Sequence, residues 1–320
     1  MRGISVAELF ERTKDEFQFE VLTESVESAR PITVSDIHRP AFVLAGFIKN
    51  FLAERIQILG ETEMLYLESL EERERLEAID RLFQHNIPCV IVAKGLRFPE
   101  YLTKRGNKGG VPVLRTPLST TPFIHQLTQY LDEAFAPRTH IHGSLMDVYG
   151  VGLLITGPSG IGKSECALDL VERGHRLVAD DLVIAVRRRK ELRGEASEPL
   201  RNHMEIRGVG IIDVRRMFGV RAITRDKRIS VEVRLRKWGA DVEYDRLGLE
   251  ERMTTILGLK IPVVTVPILP GKNISVIVEV VAMNHLLRLH GLRPAEQLDR
   301  KIIGRMRGDS SEWKPPETIG

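Results

Sequence analysis

The sequence predicts an α/β protein of two domains, an N-terminal α/β domain over residues 1–133 and a C-terminal domain built on a phosphate-binding loop over 134–320. Three observations predict it. The 320 residues are about twice the ~150 of an ordinary domain. Short β-branched apolar runs alternate with stretches of helical period along the chain. Finally, 157-GPSGIGKS-164 lies between an apolar strand and a helical pattern, the setting in which such a loop cradles phosphate.

Composition excludes several classes. Hydrophobic residues make up 42% and charged residues 28%, which suits ordinary packed cores. The 47 basic and 44 acidic side chains leave a formal charge of +3, with no basic stripe interleaved with aromatics, so no nucleic acid partner is expected. The patch Arg187-Arg188-Arg189-Lys190 reads as solvated residues at a turn or strand end. Cys89 and Cys166 are far apart and read as packing residues, not as a disulfide or a zinc pair. No apolar run approaches the ~20 residues of a membrane span. Glu8, Glu11 and Asp15 are unlike a signal peptide, and a reducing cytoplasm is the expected location.

In the N-terminal domain, 4-ISVAELFER-12 reads as a strand or turn followed by a helix capped by Ser5. Residues 43–60 mix glycine breaks with an amphipathic stretch. Residues 62–84 hold two helical patterns, with caps at Thr62 or Ser69. The run 87-IPCVIVAKG-95 is a buried strand, and 104-KRGNKGGVPVLRT-116 is a glycine-rich turn leading into another. Thr120 or Thr121 starts a helix over 122–135 with Pro122 at its first position, and Pro137 ends it near the domain boundary.

The C-terminal domain carries the chemistry. Residues 140–157 alternate as a strand pair would and lead into the loop Gly157, Pro158, Ser159, Gly160, Ile161, Gly162, Lys163 and Ser164. Its backbone N–H groups and the following helix N-terminus attract phosphate. Lys163 would neutralise the outer phosphates of a nucleotide and Ser164 would ligate Mg²⁺. Next, 176-RLVADDLVIAV-186 runs an apolar strand into two carboxylates, one able to hold Mg²⁺ and the other to act as a base; two solvated acids in a turn would look alike. In 203-HMEIRGVGIIDV-214, Glu205 and Arg207 are two apart on one strand, hence on one face, as metal and phosphate ligands or as a surface ion pair. His142 and Arg246 have structural as well as functional readings. These residues leave three classes open: a protein kinase, a kinase of a small hydroxylated metabolite, and a nucleotide-regulated binding protein.

Five segments in order narrow the choice: 142-HGSLMDVYG-150, 157-GPSGIGKSE-165, 174-GHRLVADD-181, 205-EIRGVGI-211, and 262-PVVTVPILPGKN-273 running into 279-EVVAMN-284. With 39-RPAFVLAGF-47 and 54-ERIQILGETE-63 they resemble the HPr kinase/phosphorylase family over nearly the whole chain. The resemblance implies ATP-dependent phosphorylation of a serine on the phosphocarrier protein HPr. It also implies the reverse phosphorolysis, in which inorganic phosphate releases pyrophosphate. It implies ATP on the loop and Lys163, Mg²⁺ on Ser164 and Glu205, Asp181 as base and acid, and His142 and Arg246 as catalytic in both directions. The segment Pro267, Ile268, Leu269, Pro270, Gly271 and Lys272 would serve phosphorolysis. The fold class implied is α/β, with a C-terminal P-loop kinase domain resembling phosphoenolpyruvate carboxykinase in its nucleotide site. A hexamer is implied, with a helix within 292–307 touching HPr on a neighbouring subunit, and a place in carbon catabolite repression.

Overall fold

The computed structural model describes residues 3–238, 252–269, 271, 273–294, 297, 298 and 302. Arg246, Pro270, Lys272 and most of the expected 292–307 helix lie outside them. The chain forms two compact units, Met1–Ala136 and Pro137–Gly320.

In the first unit, helix α1 (Val6–Thr13) begins where Ser5 Oγ accepts the Glu8 N–H at 3.0 Å. Strands β1 (Glu20–Val21), β2 (Ile37–His38), β3 (Ile56–Leu59), β4 (Val90–Val92) and β5 (Val113–Arg115) form one sheet in the order β1-β5-β4-β3-β2. Only β1 is antiparallel to its neighbour. The period of two divides the strand residues between two cores. Ile56, Ile58, Ile91 and Leu114 pack on α1 and α6 (Thr120–Ala134). Leu59, Val90, Val92 and Val113 pack on α2 (Ala41–Leu44), α3 (Glu61–Ser69), α4 (Glu72–Phe83) and α5 (Glu100–Gly109).

Three local expectations are corrected here. The stretch 104–109 is the end of α5, not a turn. Gly106 serves packing there, since a Cβ would lie 2.8 Å from Val111 O and from the Val113 side chain. The turn is left to Gly110, at φ 62°. Helix α3 follows Gly60, whose N–H donates to Glu63 Oε2 at 2.9 Å, and α4 follows Glu71, so neither Thr62 nor Ser69 is a cap. Helix α6 begins at Thr120 after Ser119, which places Pro122 third, still among the N–H positions without an intrahelical partner.

In the second unit, β6 (Arg138–His142), β10 (Leu182–Arg188), β11 (Glu191–Ala196) and β14 (Asp226–Arg228) form a four-stranded sheet. A six-stranded sheet runs β16-β17-β15-β8-β7-β9, from β7 (Ser144–Val148), β8 (Val151–Thr156), β9 (Arg176–Ala179), β15 (Val231–Lys237), β16 (Met253–Ile256) and β17 (Leu259–Ile268). Helices α7 (Lys163–Glu172) and α9 (Ile274–Leu289) pack on one face of it through Met146, Leu153, Ile155, Ala167, Leu170, Val278 and Ala282. Its other face meets the four-stranded sheet through Leu145, Leu154, Val183 and Leu192. Strands β12 (His203–Ile206) and β13 (Gly210–Asp213) pair only with each other, and α8 (Val214–Phe218) follows them.

Residues 140–157 thus span three strands, not two. Gly143 carries the chain from one sheet to the other, passing so close that a Cβ would sit 2.5 Å from Ile155 O. Among the described residues, no helix is long and apolar enough to cross a membrane.

Candidate active site

The loop between β8 and α7 is anchored by Ile161, which is buried in the α7 core, while Ser159 and Gly160 face solvent. Gly160 has φ 73° and Gly162, the N-cap of α7, φ 99°, backbone that side chains rarely adopt. Lys163 is buried at 8% exposure, and its Nζ donates to the carbonyl oxygens of Gly157 at 3.2 Å and Pro158 at 3.1 Å. Among the described residues it meets no carboxylate. A buried ammonium held only by carbonyls retains most of its charge for an incoming anion.

The acidic pair stands where β9 ends and β10 begins, and its two carboxylates have opposite surroundings. Asp180 is buried, at 3% exposure. Ser144 Oγ donates to its Oδ1, and the Ser164 hydroxyl is near enough to favour the anion of the same carboxyl group. Its Oδ2 is buried without a partner. Burial raises its pKa above the ordinary carboxylate range, against the hydroxyls of Ser144 and Ser164 that favour the anion. Asp181, at φ 65°, turns outward, with its side chain about half exposed, and its Oδ1 lies 3.2 Å from His142 Nδ1. The Gly143 N–H donates to Asp181 O at 3.1 Å, tying the two sheet-to-sheet passages together.

The structure brings Lys163, Ser164, Asp180, Asp181 and His142 to one end of strands β7, β8 and β9. It departs from the expectation for Glu205 and Arg207. Glu205 is exposed on β12, but Arg207 lies in the turn beyond it, so the two do not share a strand face. β12 packs against α7, keeping the hairpin beside the loop. Pro267 and Ile268 end β17, two strands from β8, with Leu269 following.

Sequence reasoning named one of the two acids as base and left Asp180 without a committed role. Its only signal was its place at the end of an apolar strand. Ser144 gave none. A groove of about 490 Å³ beside the loop, lined by Thr156, Gly157, Pro158 and Arg234–Lys237, also had no signal. The buried Glu232 accepts from two of the groove's lining residues, from Thr156 Oγ1 at 2.6 Å and from Arg234 at 3.0 and 3.1 Å.

The donor set fits a hard cation. An orphaned carboxylate oxygen beside a serine hydroxyl offers oxygen ligands, and Mg²⁺ takes few protein oxygens, leaving places for water and phosphate. Among the described residues, no three His, Cys, Asp or Glu side chains gather as a larger cage. Burial pushes the Cys166 thiol up to about 12, with Asp169 adding to it, so it is a packing residue and no nucleophile.

Comparison with known proteins matches two family models, HPr Serine kinase N terminus over residues 4–131 and HPr Serine kinase C-terminal domain over 133–302. The HPr kinase/phosphorylase of Chloroherpeton thalassium is 45% identical over 304 residues, covering 94% of this chain and 89% of that protein. That of Bacillus subtilis is 45% identical over 295 residues, covering 91% and 95%. That of Geobacter sulfurreducens is 42% identical over 309 residues, covering 96% and 97%.

Proposed function

The chain belongs to the HPr kinase/phosphorylase family, and from that premise we propose which of its residues carry the two reactions. It is a kinase and phosphorylase: it phosphorylates a serine of HPr with ATP and reverses the modification by phosphorolysis. The observation that carries the residue assignment is the divergence of two consecutive carboxylates, Asp180 toward the loop and Asp181 toward solvent.

Residues 1–133 form the N-terminal domain and 134–320 the catalytic one, whose nucleotide site resembles that of phosphoenolpyruvate carboxykinase. The loop Gly157–Ser164 and Lys163 hold the ATP phosphates. Ser164 and Glu205, with Asp180, hold Mg²⁺, which neutralises and orients the phosphate oxygens when bound. Asp181 accepts the proton of the HPr serine hydroxyl as its Oγ bonds to the γ-phosphorus. The bond from that phosphorus to the β–γ bridging oxygen breaks, and ADP leaves with the electron pair. In reverse, an oxygen of inorganic phosphate bonds to the phosphoserine phosphorus, the P–Oγ bond breaks, Asp181 returns the proton to Oγ, and pyrophosphate departs. His142 orients Asp181 in both directions through their 3.2 Å contact. Arg246 offsets charge on the phosphoryl group, and residues 267–272 serve phosphorolysis. A cytoplasmic hexamer completes the reading.

The test uses purified protein, Mg²⁺ and the organism's own HPr, followed by intact-mass spectrometry. One phosphate added with ATP, then released as pyrophosphate on supplying phosphate, is the expected result. An unmodified HPr despite tight ATP binding would turn the reading toward a metabolite kinase.

A further inference from the structure

We propose that Ser144 is a positioning residue that decides which oxygen of Asp180 is offered to the metal ion. This rests on the reading of Asp180 as a ligand on the metal side.

Ser144 is the first residue of β7, and its side chain is fully buried. A strand buried on both faces is ordinarily apolar, as Leu145, Met146 and Val148 are. The polar residues of this strand are Ser144 and Asp147. Asp147 answers to Arg176 and Lys227, and Ser144 to Asp180. A buried hydroxyl is costly unless it is hydrogen-bonded, so a serine here is explained by its acceptor. By the period of two, Ser144 shares the face of Met146, the one on which α7 packs. Helix α7 begins with Lys163 and Ser164.

The contact removes a choice that the aspartate itself leaves open. The terminal torsion of an aspartate is broad and roughly two-fold, so either oxygen could face the loop. Ser144 Oγ occupies Oδ1, while Oδ2 is buried without a partner. Backbone bonds hold the acidic pair beneath it. The Gly143 N–H donates to Asp181 O at 3.1 Å, and the Leu182 N–H donates to Asp180 O at 2.8 Å. Consecutive residues 143 and 144 thus fasten consecutive residues 181 and 180. Mg²⁺ demands near-octahedral geometry from the few protein oxygens it takes. A carboxylate already turned to present one free oxygen loses less freedom when the ion arrives, which is how outer partners of metal ligands raise affinity.

The experiment compares wild type with Ser144→Ala and with the similarly shaped pair Ser144→Thr and Ser144→Val, which differ in hydroxyl against methyl. Mn²⁺ serves as the probe ion. Its binding in the presence of ADP is followed by electron paramagnetic resonance, beside the Mg²⁺ dependence of HPr phosphorylation. Ser144→Ala and Ser144→Val should weaken Mn²⁺ binding about tenfold to a hundredfold, and should raise the Mg²⁺ requirement more than they lower kcat. Ser144→Thr should restore most of the affinity. Wild-type Mn²⁺ affinity in Ser144→Ala would overturn the proposal, as would a loss in Ser144→Thr equal to that in Ser144→Val. If Asp180→Asn leaves Mn²⁺ affinity unchanged, the reading of Asp180 itself fails, and this proposal with it.

Discussion

Each unit buries charge just beyond the end of a strand, and the two do so in different ways. In the first, Glu63 is almost fully buried after β3, yet its Oε2 accepts from the Gly60 N–H at 2.9 Å and from Arg39 at 2.7 Å. In the second, Asp180 after β9 keeps one oxygen without a partner, and Lys163 finds only carbonyls. The first arrangement closes on itself: helix cap, ion pair and strand end satisfy each other. The second leaves an anion and a cation both buried and both incomplete. Single unpartnered atoms occur elsewhere, such as Tyr130 OH in the first unit, but an incomplete anion and an incomplete cation beside one phosphate loop are what a ligand would finish.

The largest effect should come from Lys163→Ala, which removes the incomplete cation. Loss of about a thousandfold or more is expected in both directions, read by intact-mass assay of HPr. Phosphorolysis surviving while phosphorylation fails would show that the two reactions do not share the loop.

Asp180→Asn comes next, with two readouts that move oppositely. Transfer should fall about a hundredfold with loss of the metal-side charge. The thermal midpoint without nucleotide at pH 7–8 should rise above wild type. The folded protein holds the Asp180 proton more tightly than the unfolded chain does. Its contribution is therefore greatest below the ordinary carboxylate range and lost as pH rises through the raised folded value. A variant less stable than wild type at neutral pH would mean that the Asp180 anion is satisfied after all.

Glu63→Gln should show the smallest effect, and only on stability. It weakens a completed network by about 1–2 kcal/mol, seen as faster amide exchange at Gly60 and along α3, with HPr phosphorylation unchanged. A loss of kcat would erase the contrast between the units.

What the sequence made legible follows the range of the interactions. Ser5 before α1, the strand into Gly157 and the helix after it are local patterns, fixed by neighbours three or four residues away. The resemblance in separated segments was equally readable because motifs are contiguous. Helix α5 was missed because Gly106 signals a turn until Val111 and Val113 are seen against it. Arg207 was placed on a strand because spacing cannot tell that β12 ends at Ile206. The different surroundings of Asp180 and Asp181 come from Ser144, Ser164 and His142, three residues brought in by other elements, and identical letters cannot carry that difference.

Gly143 and the Asp180–Asp181 peptide have one more consequence. His142 and Asp181 adjoin the ladder of the four-stranded sheet, where His142 faces Leu182, whereas Ser144 and the end of β9 belong to the six-stranded one. The acid proposed to serve the acceptor and the acid proposed to serve the donor are thus neighbours along the chain but passengers on separate layers. What keeps them aligned is the apolar filling between those layers, Leu145, Leu154, Val183 and Leu192. On that reading the alignment of the two acids is set by a core that never meets substrate: a packing fault at Val183 or Leu192, away from the loop, should be recorded as lost turnover.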